Sequence, residues 1–278
     1  MTRKPLDRRA LFASGAAAAL LAATGLSAGS LPQRGGKLRL ALSGASRSDT
    51  WSSGQGLFMR LARQGLVFDT LTEIAPDGTL HGGLATEWQA SVNARYWEFT
   101  LRNDVTFHDG VPFTARDVVA SAADFEGGTV QAIDTHRVAF TLDVGDPNLP
   151  MRLAAPDYYI AAAHAMGMGI GTGLYRVRHF AAGQQLLAER VESHWKDGQA
   201  GWFDQVELVS IPSDAVRAQA VAEYLVDGAD VADTGALQGL SDLVVWDGQA
   251  VSRSVAMPAT LGRDVFDDLR APQRWWGA

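Results

Sequence analysis

The chain of 278 residues contains no cysteine. Disulfide scaffolds, thiolate zinc sites, iron–sulfur clusters and cysteine nucleophiles are therefore excluded together. Basic charge is scarce as well: 24 Lys and Arg stand against 31 Asp and Glu, for a formal charge of −7. That balance argues against non-specific nucleic-acid binding, because counterion release needs a basic face. Metal-ligand spacing is missing too. His81, His108, His136, His164, His179 and His194 form no H-x-H, H-E-x-x-H or i,i+4 pair, so neither a metal site nor a cofactor is expected. What remains, 47% apolar residues and 29 glycines, describes a turn-rich globular chain that can bury roughly three quarters of its unfolded surface.

One long uncharged run is present, at residues 10–26. It follows the basic Arg3, Lys4, Arg8 and Arg9 and precedes small residues at 27–30. That layout predicts a cleavable export signal over residues 1–30, and the Arg8-Arg9 pair resembles a twin-arginine signal. Removing it would leave a more acidic body that works outside the cytoplasm. Gly25-Leu26-Ser27-Ala28-Gly29 matches the G-x-S-x-G nucleophile elbow but lies within this segment, without the strand and helix the elbow needs.

Along the rest of the chain, alternation marks strands at 37–42, 97–101 and 138–142, with others expected at 174–179, 185–191 and 205–211. Helices are expected at 57–71 and 158–166. Another opens at Thr114 with Asp117 in its first turn and runs about three turns to Gly127. A helix capped by Ser213 is expected to present Val216, Ala220, Val221, Tyr224 and Leu225 as its apolar face. Strands and helices mixed in this order imply an α/β or α+β fold. No catalytic constellation is found. His108-Asp109 reads as a turn-stabilising pair, and Asp267-Asp268 as a solvated face. GMGIGTG at 167–173 lacks the glycine offset of a dinucleotide loop and reads as a hinge or flexible turn.

The stretches LVFDTLTEIAPDGTLHGGLATEWQ (66–89) and WEFTLRNDVTFHDGVPFTARDVVAS (97–121) resemble the extracellular solute-binding proteins, family 5, of peptide and nickel ABC importers. HRVAFTL (136–142), GTGLYRV (171–177), the HW pair at 194–195 and FDQVELVSIPSDAVRAQAV (203–221) extend the resemblance, and VFDDLR (265–270) resembles the segment that opens the family's third domain. The resemblance implies a two-lobed α/β, periplasmic-binding-protein type II-like fold without enzymatic activity. Residues 31–65 would begin the first lobe, 66–150 form the middle domain and 151–278 return to the first lobe, lacking most of the usual third domain. FHDG (107–110) would be scaffold.

The implied function is capture of a peptide or other small solute for an ABC importer permease in the inner membrane. The alternative is a non-transporting remnant or a protein-interaction module of the same fold. Candidate ligand contacts are Asp49, Thr50, Trp51 and Ser52 in the loop after the first strand. Trp51 could either stack on a ligand or belong to the core. Thr172, Gly173 and Tyr175 are candidates at the hinge crossing, where exposed amides would bind a peptide backbone.

Overall fold

A computed structural model of the protein describes residues 34–75, 78–237, 239–240, 243–247 and 254–258. The expected export signal at 1–30 and the VFDDLR segment lie outside the described residues. The fold is mixed α/β, built on two main sheets.

The first sheet takes strands from distant parts of the chain, in the order β12-β13-β11-β1-β10-β9-β8. At its centre β1 (Lys37–Leu42) runs parallel to β10 (Gln205–Ser210) and to β11 (Gly228–Val231). The antiparallel β8 (Tyr175–Ala181) and β9 (Gln185–Arg190) complete one side. The hairpin of β12 (Leu243–Asp247) and β13 (Ser254–Pro258) completes the other. Leu38, Leu40 and Leu42 face a core with Phe58, Val67, Phe68, Leu186 and Leu208. Ala41 points to the opposite face, where Ala218, Val221 and Val231 bury it. Both faces of β1 are thus covered, as a central parallel strand requires.

The second sheet comes from one contiguous stretch: β4 (Ala85–Ala90), β5 (Tyr96–Leu101), β7 (Arg137–Leu142) and β6 (Gly128–Asp134), in that order. Trp97, Phe99 and Leu101 of β5 and Val138, Phe140 and Leu142 of β7 make its inner face. Helix α2 (Ala115–Ser121) packs on this face through Val118. Its start is fixed as the sequence implies, because Asp117 accepts from the Thr114 N–H at 2.8 Å and from its hydroxyl at 3.0 Å. The helix is only two turns long, since a turn after Ala122 already leads to β6.

Three expectations are corrected. Residues 57–71 do not form one helix: α1 (Leu57–Arg60) passes into a π-helical turn, Leu61–Val67, and Phe68 is extended. Gly65 weakens the helix, and the backbone at 67–71 is claimed by other segments. Val67 and Asp69 carbonyls accept from Gly173 and Ile160, and Thr70 bridges Tyr159. The same pairing overrides the helix expected at 158–166. There, 3₁₀ turns at Pro156–Tyr158 and Ala163–Ala165 flank extended backbone. Helix α4 (Asp214–Ala222) is capped by Ser213, but it buries Arg217, Ala218, Ala220 and Val221. Val216, Tyr224 and Leu225 are exposed, and Tyr224 lies beyond the helix end at φ 57°.

The 167–173 glycines are also not a flexible linker. A Cβ at Gly169 would lie 2.6 Å from the Trp51 indole, and one at Gly171 would lie 2.0 Å from the Val67 carbonyl. These glycines let two chain segments touch.

Candidate functional site

Two features stand where the sheets meet. The first is the loop at residues 43–56, which leaves the carboxyl end of β1. The carboxyl ends of β10 and β11 lie alongside, and in open α/β sheets the crevice beyond such ends receives ligands. Asp49 is buried and spends its carboxylate inside the loop, accepting from the Ser46 N–H at 2.7 Å. Trp51 belongs to the core, 7% exposed, with its ring 4.9 Å from that of Phe180 and 5.9 Å from that of Phe68. Thr50 and Ser52 are exposed, with hydroxyls 3.2 Å apart, and the Thr50 hydroxyl is 2.8 Å from that of Ser53.

The loop is anchored from outside by a residue the sequence reading missed. Arg63, in the π-helical turn, is 3% exposed. It donates to the Ser53 carbonyl at 2.7 Å and to the Gly54 carbonyl, and lies over the ring of Tyr159. The Tyr159 hydroxyl in turn donates to the Trp51 carbonyl at 2.8 Å. Nothing local to Arg63 signals this role, because its targets are nine and ten residues away across a turn.

The second feature is the crossing between the two sheets. Segment 67–74 leads out of the first core and 170–175 leads back. Thr172, Gly173 and Tyr175, the candidates here, are all engaged internally. The Gly173 N–H donates to the Val67 carbonyl at 2.9 Å, and the Gly173 carbonyl accepts from His108 Nε2 at 2.8 Å. Tyr175 donates its hydroxyl to the Phe203 carbonyl at 3.1 Å, and burial pushes its phenol up to about 12. Thr172 is buried and donates to Asp69 Oδ2 at 3.0 Å. The Gly173 amide and the Thr172 and Tyr175 hydroxyls at this crossing are thus taken up by the protein itself. The structure does not bring these three residues together with the 49–52 loop into one surface of free groups.

Asp69 instead organises a buried charged cluster. Its Oδ1 accepts from Lys196 Nζ at 2.8 Å, and Lys196 also pairs with Glu73. The Asp69 and Lys196 side chains are 5% and 13% exposed. His194 Nε2 donates to the Thr172 carbonyl at 2.9 Å and lies 3.5 Å from Asp69, while its Nδ1 accepts from the Lys196 N–H. The proton therefore sits on Nε2. Burial alone would raise the Asp69 carboxyl, but the Lys196 ammonium and the His194 hydrogen bond hold it well below the usual carboxylate range. Burial likewise opposes charge on Lys196, and Asp69 and Glu73 raise it above its ordinary value. The cluster joins the loop at 194–196, which follows β9 of the first sheet, to Glu73 in the strand β2 (Thr72–Ile74) beside the second sheet. Trp195 between them is covered by Arg102, 4.1 Å from its ring centre.

His108 and Asp109 do not pair with each other. Asp109 accepts from the Val111 N–H at 3.2 Å and meets His164 at 2.6 Å. His108 ties the turn to the crossing, with Nδ1 buried and unpartnered. Burial pushes its imidazole below the ordinary 6.5. The unfolded chain therefore takes up this proton first, and stability should fall as pH drops below about 7, with a slope of at most about 1.4 kcal/mol per pH unit. His108→Gln keeps a donor for Gly173 but does not titrate. In chemical unfolding between pH 7 and 5, this variant should lose that part of the slope.

Comparison with known proteins agrees with this architecture. The family model "Bacterial extracellular solute-binding proteins, family 5 Middle" matches residues 79–270, well over half of the chain. The nickel-binding periplasmic protein of Escherichia coli is 26% identical over 185 residues, covering 56% of this chain and 34% of that protein. The probable D,D-dipeptide-binding periplasmic protein DdpA of the same organism is 28% identical over 186 residues, covering 58% and 36%. Among solved structures, the binding protein AgaA of Agrobacterium tumefaciens with agropinic acid superposes with a TM-score of 0.69 at 21% identity, over 76% of this chain and 48% of that one. The Helicobacter pylori protein DppA with the peptide STSA gives 0.66 at 19%, over 77% and 50%. The chain thus spans about a third of these curated relatives and half of these structures, which share the type II periplasmic-binding-protein fold. It belongs to the bacterial extracellular solute-binding proteins of family 5, which are binding proteins of ABC importers and not enzymes.

Proposed function

We propose that this protein captures a peptide-like solute in the periplasm and presents it to the permease of an ABC importer. The observation that carries the reading is the 43–56 loop, which is rooted at the carboxyl ends of three parallel strands and carries the exposed hydroxyls of Thr50, Ser52 and Ser53. The rigid crossing supports it, because a binding surface keeps affinity when its parts are ordered before the solute arrives. Relatives named for peptides, dipeptides and nickel support the solute class, and their periplasmic names support the location.

A thermal-shift screen of the chain with di- to tetrapeptides, the peptide STSA, agropinic acid and Ni(L-His)2 tests it. A ligand at a hundred times its Kd stabilises by about 2.7 kcal/mol, a rise of roughly 5–10 °C for a chain of this size. No rise with any of these probes would overturn the reading in favour of an interaction module.

A further inference from the structure

The 43–56 loop has an uneven distribution of hydrogen-bonding groups. Five of its carbonyls are used: Trp51 by Tyr159, Ser53 and Gly54 by Arg63, Thr50 by the Ser53 N–H, and Ser46 by the Asp49 N–H. Its donors are not. Among the described residues, no hydrogen bond uses the N–H of Thr50, Trp51 or Ser52. Beside them are the exposed hydroxyls of Thr50, Ser52 and Ser53. Every backbone group needs a partner, so residues 50–53, with three such N–H groups and three of their four carbonyls taken inside, are complementary mainly to an acceptor.

We propose that Arg63 is the positioning residue of this loop, and that by consuming its carbonyls it leaves a donor surface at residues 50–53 that receives a carboxylate of the solute. The guanidinium suits this task because its rigid fork reaches two carbonyls at once, which a lysine ammonium does not reproduce in one plane. Its hydrogen bonds go to carbonyls and to no carboxylate, and the charges of Asp49 and Asp157 offset its own, so it acts on the loop through these hydrogen bonds. The carboxylate assignment rests on the proposed solute-binding role, whereas the positioning of the loop by Arg63 does not.

Two measurements separate these parts. Amide hydrogen exchange of the full chain without ligand reads the positioning. In Arg63→Ala, the hydrogen-bonded loop amides of Ser46, Ser48, Asp49 and Ser53 should exchange at least about tenfold faster, while those of β5 and β10 keep their protection, and Arg63→Lys should recover only part. If Arg63→Ala fails to fold, Arg63→Gln provides the same readout, since its amide does not reproduce the guanidinium fork to the Ser53 and Gly54 carbonyls. Unchanged exchange at these four amides in a folded Arg63 variant overturns the positioning role. Calorimetry with tri-alanine and tri-alanine amide reads the solute class. The free carboxylate should bind at least about tenfold tighter, corresponding to one charge-assisted set of hydrogen bonds. Equal binding overturns the carboxylate assignment and leaves the solute-binding reading standing. Binding of neither probe, nor of any solute in the thermal screen, overturns both that reading and the assignment.

Discussion

Lys196→Met is expected to lower stability by about 3–5 kcal/mol, because it removes the ammonium shared by two largely buried carboxylates. Asp69 is 5% exposed and Glu73 17%, and both contact the same ammonium. For a chain of this size that loss corresponds to a fall in Tm of roughly 10 °C, read directly by thermal unfolding. Asp69→Asn in the same background removes one stranded charge and should restore part of the loss, a coupling of about 0.5–3 kcal/mol. The pH dependence has a defined sign. Asp69 is held below its ordinary 3.8, so its contribution is complete above that value and is lost as pH falls through the folded-state value. Lys196 is held above its ordinary 10.5, so its contribution is complete below that value and is lost as pH rises further. Wild type should therefore keep the cluster's full contribution between about pH 5 and 10, and Lys196→Met should lose the alkaline limb. A Tm within about 2 °C of wild type would mean that the cluster does not hold the crossing.

The contrast between this cluster and the strands explains what could be read in advance. Leu38, Leu40 and Leu42, or Trp97, Phe99 and Leu101, declare themselves because a strand turns alternate residues to one core, and that period is local. Thr114 and Asp117 are equally local, three residues apart on one helical turn. Lys196 meets Asp69 across 127 residues and Glu73 across 123, so no period or spacing joins them. The helix expected at 158–166 failed for the same reason: Tyr159 and Ile160 are held extended by Thr70 and Asp69, partners no local propensity reports. The candidate site was legible in part. The loop after β1 was found from its polar composition, but Trp51 packs edge-on against Phe68 and tilted against Phe180, and Arg63 gave no sign. The family resemblance reached further than either, because a motif such as Asp69-Thr70-Leu71 carries long-range pairing that a single sequence states without explaining.

The 43–56 loop has a second root, which should be at least as costly to cut. Asp230 is 0% exposed and Arg217 2%, with Arg217 Nε 3.3 Å from Asp230 Oδ1. Asp230 accepts from the Ser43 N–H at 2.7 Å and from its hydroxyl, fixing the first residue after β1. Arg217 donates to the carbonyls of Ile211, Pro212 and Asp230 at 2.6, 3.0 and 2.6 Å and to Asp214 at 2.7 Å. It thus ties the end of β10 and the end of β11 to the start of α4. Arg217→Met should cost about 3–5 kcal/mol, since it leaves the Asp230 carboxylate without its cation and three carbonyls without this donor. Replacing a buried ion pair by apolar groups is often neutral, so the double variant Arg217→Met/Asp230→Leu separates two roles of Arg217. If its main role were to neutralise Asp230, the double variant would return close to wild type. The geometry predicts otherwise. The Ile211 and Pro212 carbonyls lose Arg217 as a donor in both variants, and Ser43 loses its anchor in the double, so recovery should stay below about half of the single-variant loss. Denaturant unfolding of the two variants measures it, and exchange of the amides at 43–46 should accelerate in the double variant even where global stability recovers. Full recovery with those amides still protected would show that the ion pair, and not the capping of strand ends, was the reason for burying an arginine beneath this loop.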